Sequence, residues 1–385
     1  MLTVALVTSN AIAAEAIAQM LDETRLFRLV YRNRSHPDAS EVVRAIRATD
    51  VEVLLIDIGE WAAVSGILTE LQRYAVRVLP VGFRPDWTMG QLAAFSAAGI
   101  QDLLTDPFSP QDLVWTVYEG LHRDHPVTNQ NILAFMPAKA GSGCSTVALH
   151  TAAAMANEFG RSTLLLEGDR RSGVFSILLD LQAKHGMAGA LQAAGEMTEL
   201  GWRQYCESAF GLDMVLADPA HRGHLPTWAE YYQLLRFVQD RYDFVVADLP
   251  EVVNEATAEI VRNARGVMIV CTPELPSLKM ALYRCMELED CEVPQSRIHV
   301  ILNRYERGGL TEKDAEKVLE RPVFAALPND YARIRSAVMG SRLVVDEAPF
   351  ARGCKALAER LGGLPEGAQK QGRFSLLQKL GRMME

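Results

Sequence analysis

Residues 132–159 read ILAFMPAKAGSGCSTVALHTAAAMANEF, and this stretch decides the fold. The apolar run ILAFMP predicts a strand. The segment Lys139-Ala140-Gly141-Ser142-Gly143-Cys144-Ser145-Thr146 predicts a loop, and VALHTAAAMANEF predicts a helix. Strand, glycine-containing loop and helix together aim backbone N–H groups and a helix N-terminus at phosphate. Gly141 and Gly143 allow close backbone approach and unusual dihedrals. Ser145 stands where a hydroxyl would ligand Mg²⁺. The usual G-x-x-x-x-G-K-[ST] pattern is not satisfied, because Cys144 holds the lysine position.

Further segments continue this reading downstream in order: TLLLEGDRRSG (163–173), YDFVVADLP (242–250), ILNR (301–304) and LPND (327–330). With the loop, they resemble the ParA/MinD ATPases, whose deviant loop reads K-G-G-x-G-K-[ST]-T. The resemblance implies an ATP- and Mg²⁺-binding, doubly wound α/β domain that dimerises. Lys139 would reach across the dimer to the partner's phosphates. Asp169 matches the aspartate that ends the second strand and helps to position the attacking water. Asp248 would lie beside Mg²⁺ through water, Asn303 would contact adenine, and Pro328 and Asp330 would flank the base.

Upstream, LTVALV (2–7), FRLVY, VEVLLIDI, VRVLPV and GIQDLL read as strands separated by helix-length segments, which implies a parallel sheet with helices on both faces. This part resembles the flavodoxin-like receiver domain of response regulators, with Asp57 at the phospho-acceptor position. Thr8, Ser9 and Asn10 replace the acidic pair that binds Mg²⁺, Gly82 stands for the switch hydroxyl after the fourth strand, and Asp106 replaces the lysine before the proline. Phosphorylating an aspartate requires the metal and a cation. Asp57 therefore reads as an inactive strand-end residue and the domain as a docking or dimerisation module.

The expected layout is a degenerate receiver-like domain at 1–122, a linker at 123–131, a ParA/MinD-like P-loop domain at 132–363, and a tail at 364–385. That layout resembles the TadZ/CpaE proteins of tight-adherence pilus systems, which mark a site such as a cell pole and help to recruit the pilus secretion ATPase and other assembly proteins. The tail places Phe374, Leu377, Leu380 and Met384 at helical spacing among basic residues. Either a membrane-touching amphipathic helix or an ordinary terminal helix fits it.

A length of 385 residues favours two domains, and a net charge of −9 gives no support to a nucleic-acid coat. The six cysteines, at 144, 206, 271, 285, 291 and 354, form no C-x-x-C pair, so a reducing cytoplasm is expected, with at most peripheral attachment to the inner membrane. A neutral thiol at Cys144 cannot supply the lysine's charge, a loss of about 2–4 kcal/mol in transition-state stabilisation. ATP binding with slow hydrolysis or none is the expectation. The rival readings are a ParA-type DNA-partitioning ATPase and a phosphorylatable response regulator.

Overall fold

A computed structural model describes residues 1–33, 38–124, 131–217 and 226–363. The chain divides into two compact units, one drawn from Met1–Thr128 and the other from Asn129–Ala368. The C-terminal tail, and all but residues 123, 124 and 131 of the expected linker, lie outside the described residues.

The first unit alternates strand and helix throughout: β1 (Leu2–Val7), α1 (Ala11–Thr24), β2 (Phe27–Arg32), α2 (Ala39–Thr49), β3 (Val53–Asp57), α3 (Trp61–Arg73), β4 (Leu79–Arg84), α4 (Met89–Ala97), β5 (Asp102–Thr105) and α5 (Pro110–Asp124). Its five strands are all parallel, in the order β2-β1-β3-β4-β5. That is the flavodoxin-like doubly wound order. Every residue of β1 is buried, as a central strand covered on both faces requires. Asn10 caps α1 by accepting the amides of Ile12 and Ala13.

Three details differ from the sequence reading. The fourth strand begins at Leu79, so Val76, Arg77 and Val78 precede it. It runs on to Arg84, which puts Gly82 inside the strand rather than after it. The expected linker begins inside α5, because Arg123 in the last turn makes a two-pronged ion pair with buried Asp102, at 2.8 and 2.9 Å. A guanidinium fork matched to a carboxylate favours that helical turn over a polar linker.

The second unit carries β6 (Ile132–Pro137), α6 (Cys144–Asn157), β7 (Thr163–Glu167), α7 (Phe175–Leu179), α8 (Gly186–Ala193), α9 (Glu199–Trp202), β8 (Glu207–Ala209), β9 (Leu212–Val215), α10 (Trp228–Gln239), β10 (Phe244–Asp248), α11 (Glu255–Asn263), β11 (Gly266–Cys271), α12 (Leu275–Asp290), β12 (Ile298–Tyr305), α13 (Glu312–Leu319), β13 (Val323–Pro328), α14 (Tyr331–Met339) and α15 (Pro349–Gly362). The sheet order is β13-β12-β11-β6-β10-β7-β9-β8, parallel except for the β8–β9 pair at one edge. Along β6 the side chains alternate between two cores. Ile132, Ala134 and Met136 face the layer that holds α8 and α10 to α13, whereas Leu133 and Phe135 face α6 and α15. An apolar strand buried on both faces is what ILAFMP specifies.

Connectivity leaves β6 towards β7 on one side and returns to β11 on the other. Ligand crevices of open α/β sheets form at such switch points, beyond the carboxyl ends of the strands. The loop 138–143 stands there. Among the described residues no helix is long and apolar enough to cross a membrane.

Candidate functional site

The register of three neighbouring strands assembles the site. Asp248 pairs with Phe135 across β10–β6, and Val270 pairs with Pro137 across β11–β6. The ends of β10 and β11 therefore flank the loop. Gly141 and Gly143 take φ of +80° and +85°, the left-handed region that a side chain resists. Gly143 is also the N-cap of α6 and offers no side-chain acceptor, so the first-turn amides of α6 lack a side-chain cap.

Cys144 opens α6 and is buried, where a lysine would otherwise stand. Burial first, then the charge of Asp248 beside it, pushes its thiol well above the ordinary cysteine value. The Ser145 hydroxyl stands beside the same carboxyl. Burial raises the Asp248 carboxyl to about 7, opposed by the Ser145 hydroxyl and reinforced by the charge of Glu167. Asp248 Oδ1 is buried without a partner. Three further buried oxygens lack partners around the same edge: Ser142 Oγ, Thr272 Oγ1 and Asn303 Oδ1. Buried polar atoms are ordinarily satisfied, so a cluster of orphans at one sheet edge marks a place for a polar ligand.

The donor set suits a hard cation. A Ser145 hydroxyl beside a carboxylate is oxygen-only, and Mg²⁺ keeps most of its waters and takes one or two protein ligands. Among the described residues no group of three or more His, Cys, Asp or Glu is arranged to hold a metal alone.

Asn303 Nδ2 donates to the Ser142 carbonyl at 2.8 Å, in a side chain only 3% exposed. Its amide nitrogen is thus engaged with the loop, while its Oδ1 stays unpartnered. A Cβ at position 143 would meet Asn303 Nδ2 at 2.5 Å, so Gly143 is required for this approach as well as for its φ. The β12–β13 register slips between Leu302 and Tyr305, with Arg304 at φ +58°, an irregularity next to the aimed side chain.

Asp169 lies two residues beyond the end of β7, which closes on Glu167. Its backbone N–H and that of Gly168 donate to the Asp248 carbonyl, at 3.2 and 2.8 Å. Its carboxylate accepts the amides of Arg171 and Ser172. Asp169 therefore shapes a turn held against β10. Pro328 ends β13, and Asp330, 7% exposed, pairs with Arg333 and keeps Oδ2 unpartnered.

Three acids escaped the motif reading. Glu167 is fully buried; it accepts the amides of Val174, Phe175 and Ala217, so it staples the segment after Asp169 to the sheet. Burial raises its carboxyl, and those amides pull it back. A glutamate ending an otherwise apolar strand was the available signal. Glu251 accepts the Ala140 amide at 2.9 Å, and Glu274 lies 3.9 Å from Lys139 Nζ. No spacing announces these two, because they arrive from the ends of different strands.

In the first unit, Asp57 is occupied. Thr8 Oγ1 donates to Oδ2 at 2.8 Å and the Gly59 amide to Oδ1 at 2.9 Å. The acidic-pair positions hold Thr8, Ser9, bonded to Glu60, and the helix cap Asn10. A Cβ on Gly82 would lie 2.8 Å from Leu103 and 3.0 Å from Ile58, which leaves no room for a switch hydroxyl.

The sheet order, the loop at its switch point and the acid at the end of β10 define the second unit as an α/β P-loop domain. Its fold is that of the ParA/MinD-like ATPases. A ParA-family ATPase from Chlorobium tepidum superposes with a TM-score of 0.56 at 20% identity, covering 60% of this chain and 99% of that one. MinD from Pyrococcus horikoshii, complexed with Mg-ADP, gives 0.50 at 21% identity, with 61% and 96% covered. In sequence the chain is 24% identical over 252 residues to an uncharacterised ATP-binding protein of Methanocaldococcus jannaschii, with 64% of this chain and 94% of that protein covered. It is 24% identical over 249 residues to the septum site-determining protein MinD of Synechocystis, with 60% and 89% covered. What the chain shares with these solved structures is the fold. No family model matches the chain.

Proposed function

We propose that the protein is an ATP-dependent, dimerising assembly factor of the TadZ/CpaE kind, serving a tight-adherence pilus system from a cell pole. ATP with Mg²⁺ sits on the amides of the loop from Lys139 to Thr146, with Ser145 and Asp248 at the cation. The carrying observation is the set of buried, unpartnered oxygens of Ser142, Asp248, Thr272 and Asn303 around the loop. Relatives named as ATP-binding, and a neighbour complexed with Mg-ADP, support the choice of ligand. The pilus role rests on the resemblance of the whole layout.

Cys144 makes the protein a slow ATPase at most. Lysine at this position contacts the transferring phosphoryl group and stabilises its charge. A buried neutral thiol beside Asp248 supplies none. A nucleotide-bound dimer that persists suits a landmark better than a fast motor. Lys139 serves the partner's phosphates, and Asp169 orients water for whatever hydrolysis remains. The first unit docks partners or a second copy without being phosphorylated, in keeping with the occupied carboxylate of Asp57.

Sedimentation velocity of the full chain tests this reading. The expected outcome is a dimer with Mg-ATP, and a monomer with Mg-ADP or in Lys139→Ala. An association state indifferent to both nucleotide and Lys139 contradicts it. A fluorescent fusion is expected to form polar foci that depend on nucleotide binding, and uniform cytoplasmic fluorescence would remove the landmark role.

A further inference from the structure

The loop already holds two anions of its own. The Glu251 carboxylate, three residues past the end of β10, accepts the Ala140 N–H at 2.9 Å. Glu274, three residues past the end of β11, lies 3.9 Å from the Lys139 ammonium. Both contacts fall on Lys139 and Ala140, at the start of the phosphate-binding segment. Glu251 is half-buried and Glu274 is exposed, so each carboxylate can swing into solvent. The two acids come from the segments flanking β6, one on each side of the loop.

We infer that Glu251 and Glu274 form an acidic latch that occupies the phosphate loop's own donors and must open before nucleotide enters and Lys139 reaches a partner. The inference rests on the ATP reading above and adds its regulation. An ionised carboxylate on a backbone N–H is one of the stronger hydrogen bonds, and it uses the donor chemistry that a phosphate oxygen uses. A triphosphate approaching this edge also meets the negative charges of Glu251, Glu274 and Asp169, while the in-loop lysine that would offset them is Cys144. Like charges at short range oppose binding. Lys139 held by Glu274 in its own subunit is withheld from the subunit across the interface. Nucleotide binding and dimerisation therefore share one threshold, set by the two acids.

Calorimetric titration of the full chain with Mg-ATP compares the wild type with Glu251→Ala, Glu251→Gln and Glu274→Gln. Removal of the Glu251 acceptor is expected to tighten Mg-ATP binding roughly tenfold, the size of one charge-assisted bond. Glu251→Gln, which keeps an acceptor and loses the charge, is expected to fall between. Glu274→Gln is expected to lower the ATP concentration at which the dimer forms by sedimentation. Should Glu251→Ala unfold, the isosteric Glu251→Gln still decides. Wild-type binding that is unchanged or weakened in both Glu251 variants overturns the latch and leaves the nucleotide reading standing. Absence of binding by every chain at millimolar Mg-ATP removes the nucleotide reading, and the latch with it.

Discussion

Cys144 is the residue on which the chemistry turns. Its thiol is buried and raised well above the ordinary cysteine value, so it is neither a nucleophile nor a cation. Cys144→Lys is expected to raise steady-state ATP turnover by about 30- to 1,000-fold, the reverse of losing one charged phosphate contact. A coupled ATPase assay with no gain would show that the deficit lies elsewhere. At Gly82 the expected effect is on stability. Glycine is the side chain that fits between Leu103, Ile58 and Ile100. Gly82→Ser is expected to cost about 1–3 kcal/mol through overpacking. Urea denaturation measures it, and an undiminished midpoint would mean that the strand yields. The loop residues were legible in the sequence because glycines, Ser145 and an apolar strand act locally. The engagement of Asn303 with Ser142 was not, since a contact across 161 residues leaves no local pattern.

At the scale of elements, apolar runs marked the strands of the first unit and those that carry the loop and its neighbouring motifs. At the end of α5 a tertiary contact overrides local character. Residues 76–78 look like a strand but sit before β4, and α5 continues through Arg123 because Asp102 anchors it. A second such contact makes the second unit sensitive to acid. His299 on β12 packs against the Phe324 ring at 4.4 Å, with Arg360 over that same ring. Burial first, and then the Arg360 charge, lowers its value to about 4 from an ordinary 6.5. The unfolded chain thus takes up this proton before the folded one does. Stability from His299 is complete above about pH 6.5 and is lost as pH falls towards about 4. His299→Leu is expected to flatten the thermal-midpoint profile within that window, and an unchanged profile would assign the acid sensitivity to other groups.

For the whole molecule, alternating strands and helices across two units were readable from the sequence, since buried parallel strands are almost continuously apolar. The edge pair β8–β9 carried no motif and was not anticipated. The proposed coupling of nucleotide to dimer runs through Lys139 and the loop, both in the second unit. Lys139→Ala is expected to weaken the Mg-ATP-dependent dimer at least tenfold, because the trans contact is then missing from both sites. An unaltered concentration dependence of sedimentation would put the interface elsewhere.

Under the proposed function, the amides of the loop from Lys139 to Thr146 bind a triphosphate without an in-loop lysine. Isothermal calorimetry of the full chain with ATP and Mg²⁺ tests it most directly. Saturable binding below millimolar concentration, lost in Ser145→Ala or when Mg²⁺ is removed, is the predicted result. No detectable heat at millimolar ATP, with the protein folded by circular dichroism, would contradict it.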